Sequence, residues 1–196
     1  MRKVLLIASI LFVAVASTAC INNLAVQDLN NKAKAYADKG DYVQAIERLK
    51  SSIDLDPSVF ETHYNLAIVY TKAEDYVNAV EEYKKVIEMK PDNADSYYSL
   101  AVTENNLAVD IEQLKVRMNI DGTLFTPGKS DETTVELTDE LTDKEKNLVK
   151  ELYDSAIANY EKYLELNPNA EDKADIEANI QKIQEAQNSD RKQAID

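Results

Sequence analysis

Small, aromatic and apolar residues return along this chain at a fixed interval. Ala33, Ala67 and Ala101 stand 34 residues apart, as do Tyr36 and Tyr70, Asp41-Tyr42-Val43 and Asp75-Tyr76-Val77, Ala45 and Ala79, and Pro57 and Pro91. Between these points the apolar positions follow the three-and-four spacing of helices with one buried face. Prolines and short polar stretches mark the ends. The pattern predicts helices over 24–39, 42–54, 60–73, 76–89, 94–118, 140–166 and 171–187. A unit of this length cannot bury its apolar face alone, so neighbouring units must stack.

The third copy of the pattern is split. Tyr76, Ala79, Tyr83 and Pro91 reappear as Tyr153, Ala156, Tyr160 and Pro168, a step of 77, so 43 extra residues separate the two halves of the third unit. Leu107, Ile111, Leu114 and Met118 carry helical spacing past the ordinary end of the fifth helix, and Leu141, Leu148 and Leu152 lead into Tyr153. Thr142 and Glu145 have the spacing of a capping box. Two matched extensions of about 11 residues predict an antiparallel helical finger projecting roughly 16 Å at about 1.5 Å per residue. Its tip, "NIDGTLFTPGKSDETTVEL" (119–137), contains Leu124 and Phe125. That pair either offers a contact point or folds back on the finger.

Small, aromatic and proline positions at fixed offsets in a 34-residue period resemble the tetratricopeptide repeat. The resemblance covers about residues 26–187 and implies an all-α, right-handed superhelical array of three helix pairs. The repeats would span about 26–59, 60–93 and 94–170, the third interrupted by an insertion over about 108–151. Helix 171–187, with Ile176, Ile180 and Ile183 in one stripe, would cap the open end, and 188–196 would form a flexible tail. In this family the first helix of each pair lines a concave peptide-binding groove. That face would carry Asn30, Lys34, Tyr64, Asn65, Ile68, Lys72, Tyr98, Val102 and Asn105. Tyr64 and Tyr98 either face the groove or merely pack along the inner helices. Some members clamp a peptide's C-terminal carboxylate with Lys, Asn and Arg. Asn65 matches one such Asn, but the other places hold Asn30, Lys34, Asp95 and Ser99, so two cations are replaced by a neutral residue and an acid. His63 occupies a place where the family often has Trp, which implies a packed histidine.

The first nineteen residues have a basic start (Arg2, Lys3), an apolar run from Val4 to Ala16 and a small-residue end. This is the pattern of an export signal, short for a membrane-spanning helix. "STAC" resembles the lipobox of bacterial lipoproteins, although Ser17 replaces the usual Leu or Val. The resemblance implies cleavage before Cys20, lipid on its thiol, a lipidated tether over 20–25, and a domain held outside the cytoplasm on a bacterial membrane. Ile21 after the cysteine points to the outer membrane if the cell has two.

Charge and chemistry narrow the function. The net charge is −14, which disfavours nucleic acid and tolerates basic partners. One His, one Cys and no Trp supply no catalytic constellation and no His/Cys metal site, and no cofactor motif is present. Gly128-Lys129-Ser130 matches only the end of a phosphate-binding loop, because Thr123 stands where the first Gly is needed. The acids Asp121, Asp131, Glu132, Glu136, Asp139, Glu140 and Asp143 lack the spacing of a calcium loop and read as a solvated segment. The expectation is a non-enzymatic, membrane-anchored scaffold holding another envelope protein or peptide through its groove, its finger, or both. The alternative is a structural lipoprotein that oligomerises through the finger.

Overall fold

Local sequence sets each helix boundary. The computed structural model describes residues 23–128 and 138–193, with side chains as far as 188. The expected leader, tether start and Cys20 (1–22), the acidic and Gly128-Lys129-Ser130 segments over 129–137, and 194–196 lie outside the described residues. Among the described residues are seven helices: α1 (23–37), α2 (Tyr42–Leu55), α3 (Phe60–Lys72), α4 (Tyr76–Met89), α5 (Ala94–Glu112), α6 (Asp143–Leu166) and α7 (Lys173–Gln193). Two short strands, β1 (Arg117–Met118) and β2 (Leu124–Phe125), lie between α5 and α6. The chain divides into two compact units, Met1–Ala73 and Glu74–Asp196.

In the first unit α1, α2 and α3 pack through small residues. Ala33, Ala45 and Ala67 are buried, which lets the helices approach closely, and Leu49, Leu66 and Tyr70 fill the space around them. Lys50 lies over the Tyr70 ring, 5.8 Å from its centre. The chain leaves α1 through Gly40 at φ 77°, and Asp41 caps α2 by accepting from the Gln44 amide at 3.2 Å. His63 is buried, with Nε2 3.2 Å from the Pro57 carbonyl oxygen, as expected of a packed histidine.

The second unit repeats these devices. Asp75 caps α4 through the Asn78 amide at 3.3 Å, and Asn93 caps α5 through Ser96 N at 2.9 Å. Tyr97, one period after His63, donates to the Pro91 carbonyl at 3.1 Å. The displaced half-repeat lies where its pattern requires. Tyr153, Ala156 and Tyr160 of α6 are buried, as are Ala79 and Tyr83 of α4. α7 closes the unit against α6, burying Ile176 and Ile183, while Ile180 is half-buried. This helix continues to Gln193, beyond residue 187, where the capping helix is expected to end. The sequence there has no Gly or Pro to stop it, and Arg191, Lys192 and Gln193 support helix.

The α5 limb of the expected finger is corrected, whereas α6 begins at Asp143, ten residues ahead of Tyr153. α5 ends at Glu112 rather than 118, less than two turns beyond Asn106, the counterpart of the end of α3. Leu114 adopts φ 60°, and the amides of Gln113, Leu114, Lys115 and Val116 turn back onto the carbonyls of Val109, Ile111 and Asp110. Those bonds satisfy the helix's last acceptors, so it terminates without glycine. The chain then forms a hairpin with Arg117 opposite Phe125 and Met118 opposite Leu124. Phe125 is buried and Leu124 half-buried, so the pair folds back rather than presenting an exposed contact. The exposed apolar residue of the hairpin is Ile120, at 71%.

Arg117 fastens the hairpin to the start of α6. Its Nε donates to Glu145 Oε1 at 2.8 Å, and Nη1 and Nη2 donate to the carbonyls of Thr138 (2.8 Å) and Glu140 (3.3 Å). Glu145 also accepts from the Met118 amide at 3.0 Å and the Thr142 amide at 2.7 Å. The last bond belongs to the capping box that the Thr142–Glu145 spacing predicts. Although burial opposes ionisation, these donors hold the Glu145 carboxyl down at about 2.

Candidate functional site: an amide-lined cleft

A cleft of about 560 Å³ opens in the first unit between α1 and the beginning of α3. From α1 it is lined by Asn23, Val26, Gln27, Asn30 and Asn31, and from α3 by Glu61, Thr62 and Asn65, with Asp56 and Val59 at the α2–α3 turn. Helical spacing aligns the α1 residues. Positions 23, 27, 30 and 31 recur at three- and four-residue steps, so their amides share one face.

Asn30 organises the floor. Its Nδ2, which carries two hydrogens, lies within hydrogen-bond distance of three acceptors, Val26 O (2.9 Å), Ser52 Oγ (2.9 Å) and Thr62 Oγ1 (3.0 Å). Its Oδ1 accepts from Asn65 Nδ2 at 3.1 Å. Asn30 therefore ties α1 to α2 and α3, while Asn65 stands at the exposed edge with its orientation fixed. Ser52 and Thr62 are fully buried, and each hydroxyl reaches this one amide. Asp56, the C-cap of α2, accepts on Oδ1 from Ser58 N (2.9 Å) and Ser58 Oγ (2.6 Å). These bonds lower its pKa, so it is an anion at neutral pH.

Of the residues expected on a concave face, the structure brings Asn30 and Asn65 into direct contact and places both in this cleft. Tyr64 and Ile68 are half-buried in α3, and Lys72 is exposed at its end. Lys34 is exposed and pairs along its own helix with Asp38 at 3.2 Å. Tyr98, Val102 and Asn105 are half-buried in α5 of the second unit. Tyr98 makes ring contacts with Tyr160 (5.9 Å between centres) and Tyr163 (5.4 Å), so much of its surface serves the α5–α6 interface. Burial, and then the neighbouring Tyr98, push the Tyr160 phenol up to about 12.

Sequence reasoning missed Asn23, Gln27, Asn31, Asp56, Glu61 and the polar floor. One signal was available. Ser52 occupies the place that the apolar Val86 holds one period later, and both are fully buried. A hydroxyl at a core position demands a polar partner, and the amides of α1 supply it.

A second buried polar group lies among α4, α5 and α6. Glu104 stands where Tyr36 and Tyr70 stand in the earlier copies. It is fully buried and accepts from Ser155 Oγ (2.9 Å) and Asn159 Nδ2 (2.8 Å), with Lys84 Nζ 3.9 Å away. Burial raises its pKa, and these three partners only partly offset the shift. Among the described residues no three His, Cys, Asp or Glu side chains are grouped at metal-ligand range, and no helix is long and apolar enough to cross a membrane.

Comparison with known proteins agrees with this fold. The sequence model of the TPR repeat matches residues 33–73 and 69–103. No curated protein matches the sequence. Among solved structures, the first TPR of Spaghetti (RPAP3) bound to the HSP90 peptide SRMEEVD is similar at 17% identity and a TM-score of 0.55, covering 83% of this chain and 93% of that one. The second TPR domain of human RPAP3, in complex with the HSP70 peptide SGPTIEEVD, is similar at 13% identity and a TM-score of 0.56, covering 83% and 98%. The Sgt2 TPR domain from Aspergillus fumigatus is similar at 13% identity and a TM-score of 0.55, covering 85% and 82%. At these identities the likeness is one of fold. The chain thus carries TPR repeats over residues 33–103, within an almost wholly α-helical, TPR-like array of helix pairs.

Proposed function

We propose that this protein is a scaffold that holds another protein through an extended peptide segment seated in the α1–α3 cleft. The observation that carries this reading is a cleft of about 560 Å³ lined by the amides of Asn23, Gln27 and Asn31 on α1 and by Asn65 on α3. An amide presents both a donor and an acceptor, as does each unit of peptide main chain, so a row of amides suits a strand-like ligand. Two of the similar domains bind chaperone peptides, which supports a peptide as the ligand class.

The scaffold would be membrane-anchored and outside the cytoplasm, through lipid on Cys20. The support is the basic, apolar and small-residue order of the first nineteen residues, followed by the chain's one cysteine. Asn23 follows Cys20 by three residues, a reach of roughly 10 Å, so the cleft would open close to the bilayer. The partner would be another component of the cell envelope. Ile120, exposed at 71% on the hairpin turn, favours the insertion as a second contact.

Two experiments test the reading. Affinity capture from solubilised membranes should lose its partner with Gln27→Ala/Asn65→Ala, and an unchanged partner set would exclude the cleft. Growth with an alkyne fatty acid should label the wild-type protein and not Cys20→Ser; labelling of neither would remove the anchor.

A further inference from the structure

We propose that the α1–α3 cleft selects a cationic segment, an extended peptide bearing lysine or arginine, over acidic or carboxylate-terminated peptides. The inference rests on the peptide-cleft reading above and specifies its ligand. The lining contains five amides and two carboxylates, and no lysine, arginine or histidine. A peptide carboxylate placed there would lose water and meet no countercharge, which is costly.

Three acceptors face the opposite kind of ligand. Asn65 spends its donor on Asn30, which leaves its own amide oxygen without a partner among the described residues. Asp56 receives both Ser58 bonds on Oδ1, which leaves Oδ2 available. Glu61, exposed on the first turn of α3, makes no ion pair among the described residues. An ammonium or guanidinium has donors only, so it satisfies these acceptors as an anion cannot. The two lysines of α1 nearest the cleft in sequence, Lys32 and Lys34, are paired along their own helix with Asp28 (2.6 Å) and Asp38 (3.2 Å).

The test uses the full chain in detergent and three fluorescein-labelled peptides of one sequence, amidated at the C-terminus, with Lys, Gln or Glu at the same alternate positions. Anisotropy titration should rank them Lys above Gln above Glu, with Lys preferred over Gln on the order of tenfold. The Asp56→Asn/Glu61→Gln variant, which changes two charges and little shape, should abolish that preference and bring the Lys and Gln peptides to equal affinity. This comparison separates local recognition from general attraction to an acidic protein. Equal binding of Gln and Lys peptides overturns the cation preference and leaves the peptide-cleft reading standing. A preference that survives the double substitution also overturns it. Binding of none of the three removes the cleft reading and the inference with it.

Discussion

Arg117 and Glu145 form a buried ion pair across the insertion, with Nε 2.8 Å from Oε1 and both side chains almost wholly removed from solvent. The guanidinium and the carboxylate satisfy each other, and backbone groups take up the remaining donors and acceptors. Removing one partner strands the other. Arg117→Met should therefore destabilise the protein by about 3–5 kcal/mol in urea unfolding. Arg117→Met/Glu145→Leu should recover much of the loss, because no uncompensated charge remains.

The same carboxylate sets the acid sensitivity. Its pKa is about 2 in the fold against an ordinary 4.5. A depressed carboxylate contributes stability that is fully present above the ordinary value and lost as pH falls toward the folded one. Thermal stability should thus decline between about pH 4.5 and 2, and Glu145→Gln should flatten this limb of the profile while lowering stability at neutral pH.

Glu104 acts with the opposite sign. Its folded pKa is raised, so the native state holds the proton more tightly than the unfolded chain does. Its charge therefore costs stability above the folded pKa, and the cost disappears as pH falls toward the ordinary value. Glu104→Gln should raise the melting temperature at pH 8 and give no gain near pH 4.

Gly40 and Glu74 sit one period apart in the same turn, at φ 77° and 56°. Glycine accepts this conformation freely, whereas a residue with a Cβ pays on the order of 1 kcal/mol. Gly40→Ala should lower stability by about 1 kcal/mol and Glu74→Gly should raise it by a similar or smaller amount, both read from thermal melts. An added Cβ at position 40 meets no atom within 4 Å, so the effect isolates backbone strain.

The two amides at the cleft should separate stability from binding. Asn30→Ala removes the partner shared by Ser52 and Thr62, and should cost about 1–3 kcal/mol. Asn65→Ala should leave the melting temperature within a degree or two and reduce peptide affinity. Paired melts and anisotropy titrations on the two variants check the division.

Most of the helical array was legible because its residues report a packing rule. Ala33, Ala67 and Ala101 recur because close helices exclude anything larger, and Tyr83 recurs as Tyr160 across a long interruption because an equivalent buried space has to be filled. The capping box at Thr142 was legible because both its hydrogen bonds are local. The end of α5 was not. Leu107, Ile111, Leu114 and Met118 keep helical spacing, but Leu114 turns left-handed, and nothing local marks a non-glycine residue for that role. What competes with the helix is the distant Glu145, which takes Arg117 and the Met118 amide for the hairpin. The cleft was half legible. The periodic offsets identified Asn30 and Asn65, whereas Asp56 and Glu61 belong to the α2–α3 turn and the first turn of α3, away from the face that those offsets describe.

The clamp at Arg117 also makes the third repeat a natural graft port. Phe125 is embedded on one side and Arg117 holds the Thr138 and Glu140 carbonyls on the other, so the chain joining them is attached to a frame fixed at both ends. Joining two fixed points by a longer length of chain is inexpensive, since each doubling costs only about 0.6 kcal/mol. Foreign cargo spliced between Gly128 and Thr138, such as an epitope, a fluorophore tag or a small domain, would therefore enter between two fixed junctions.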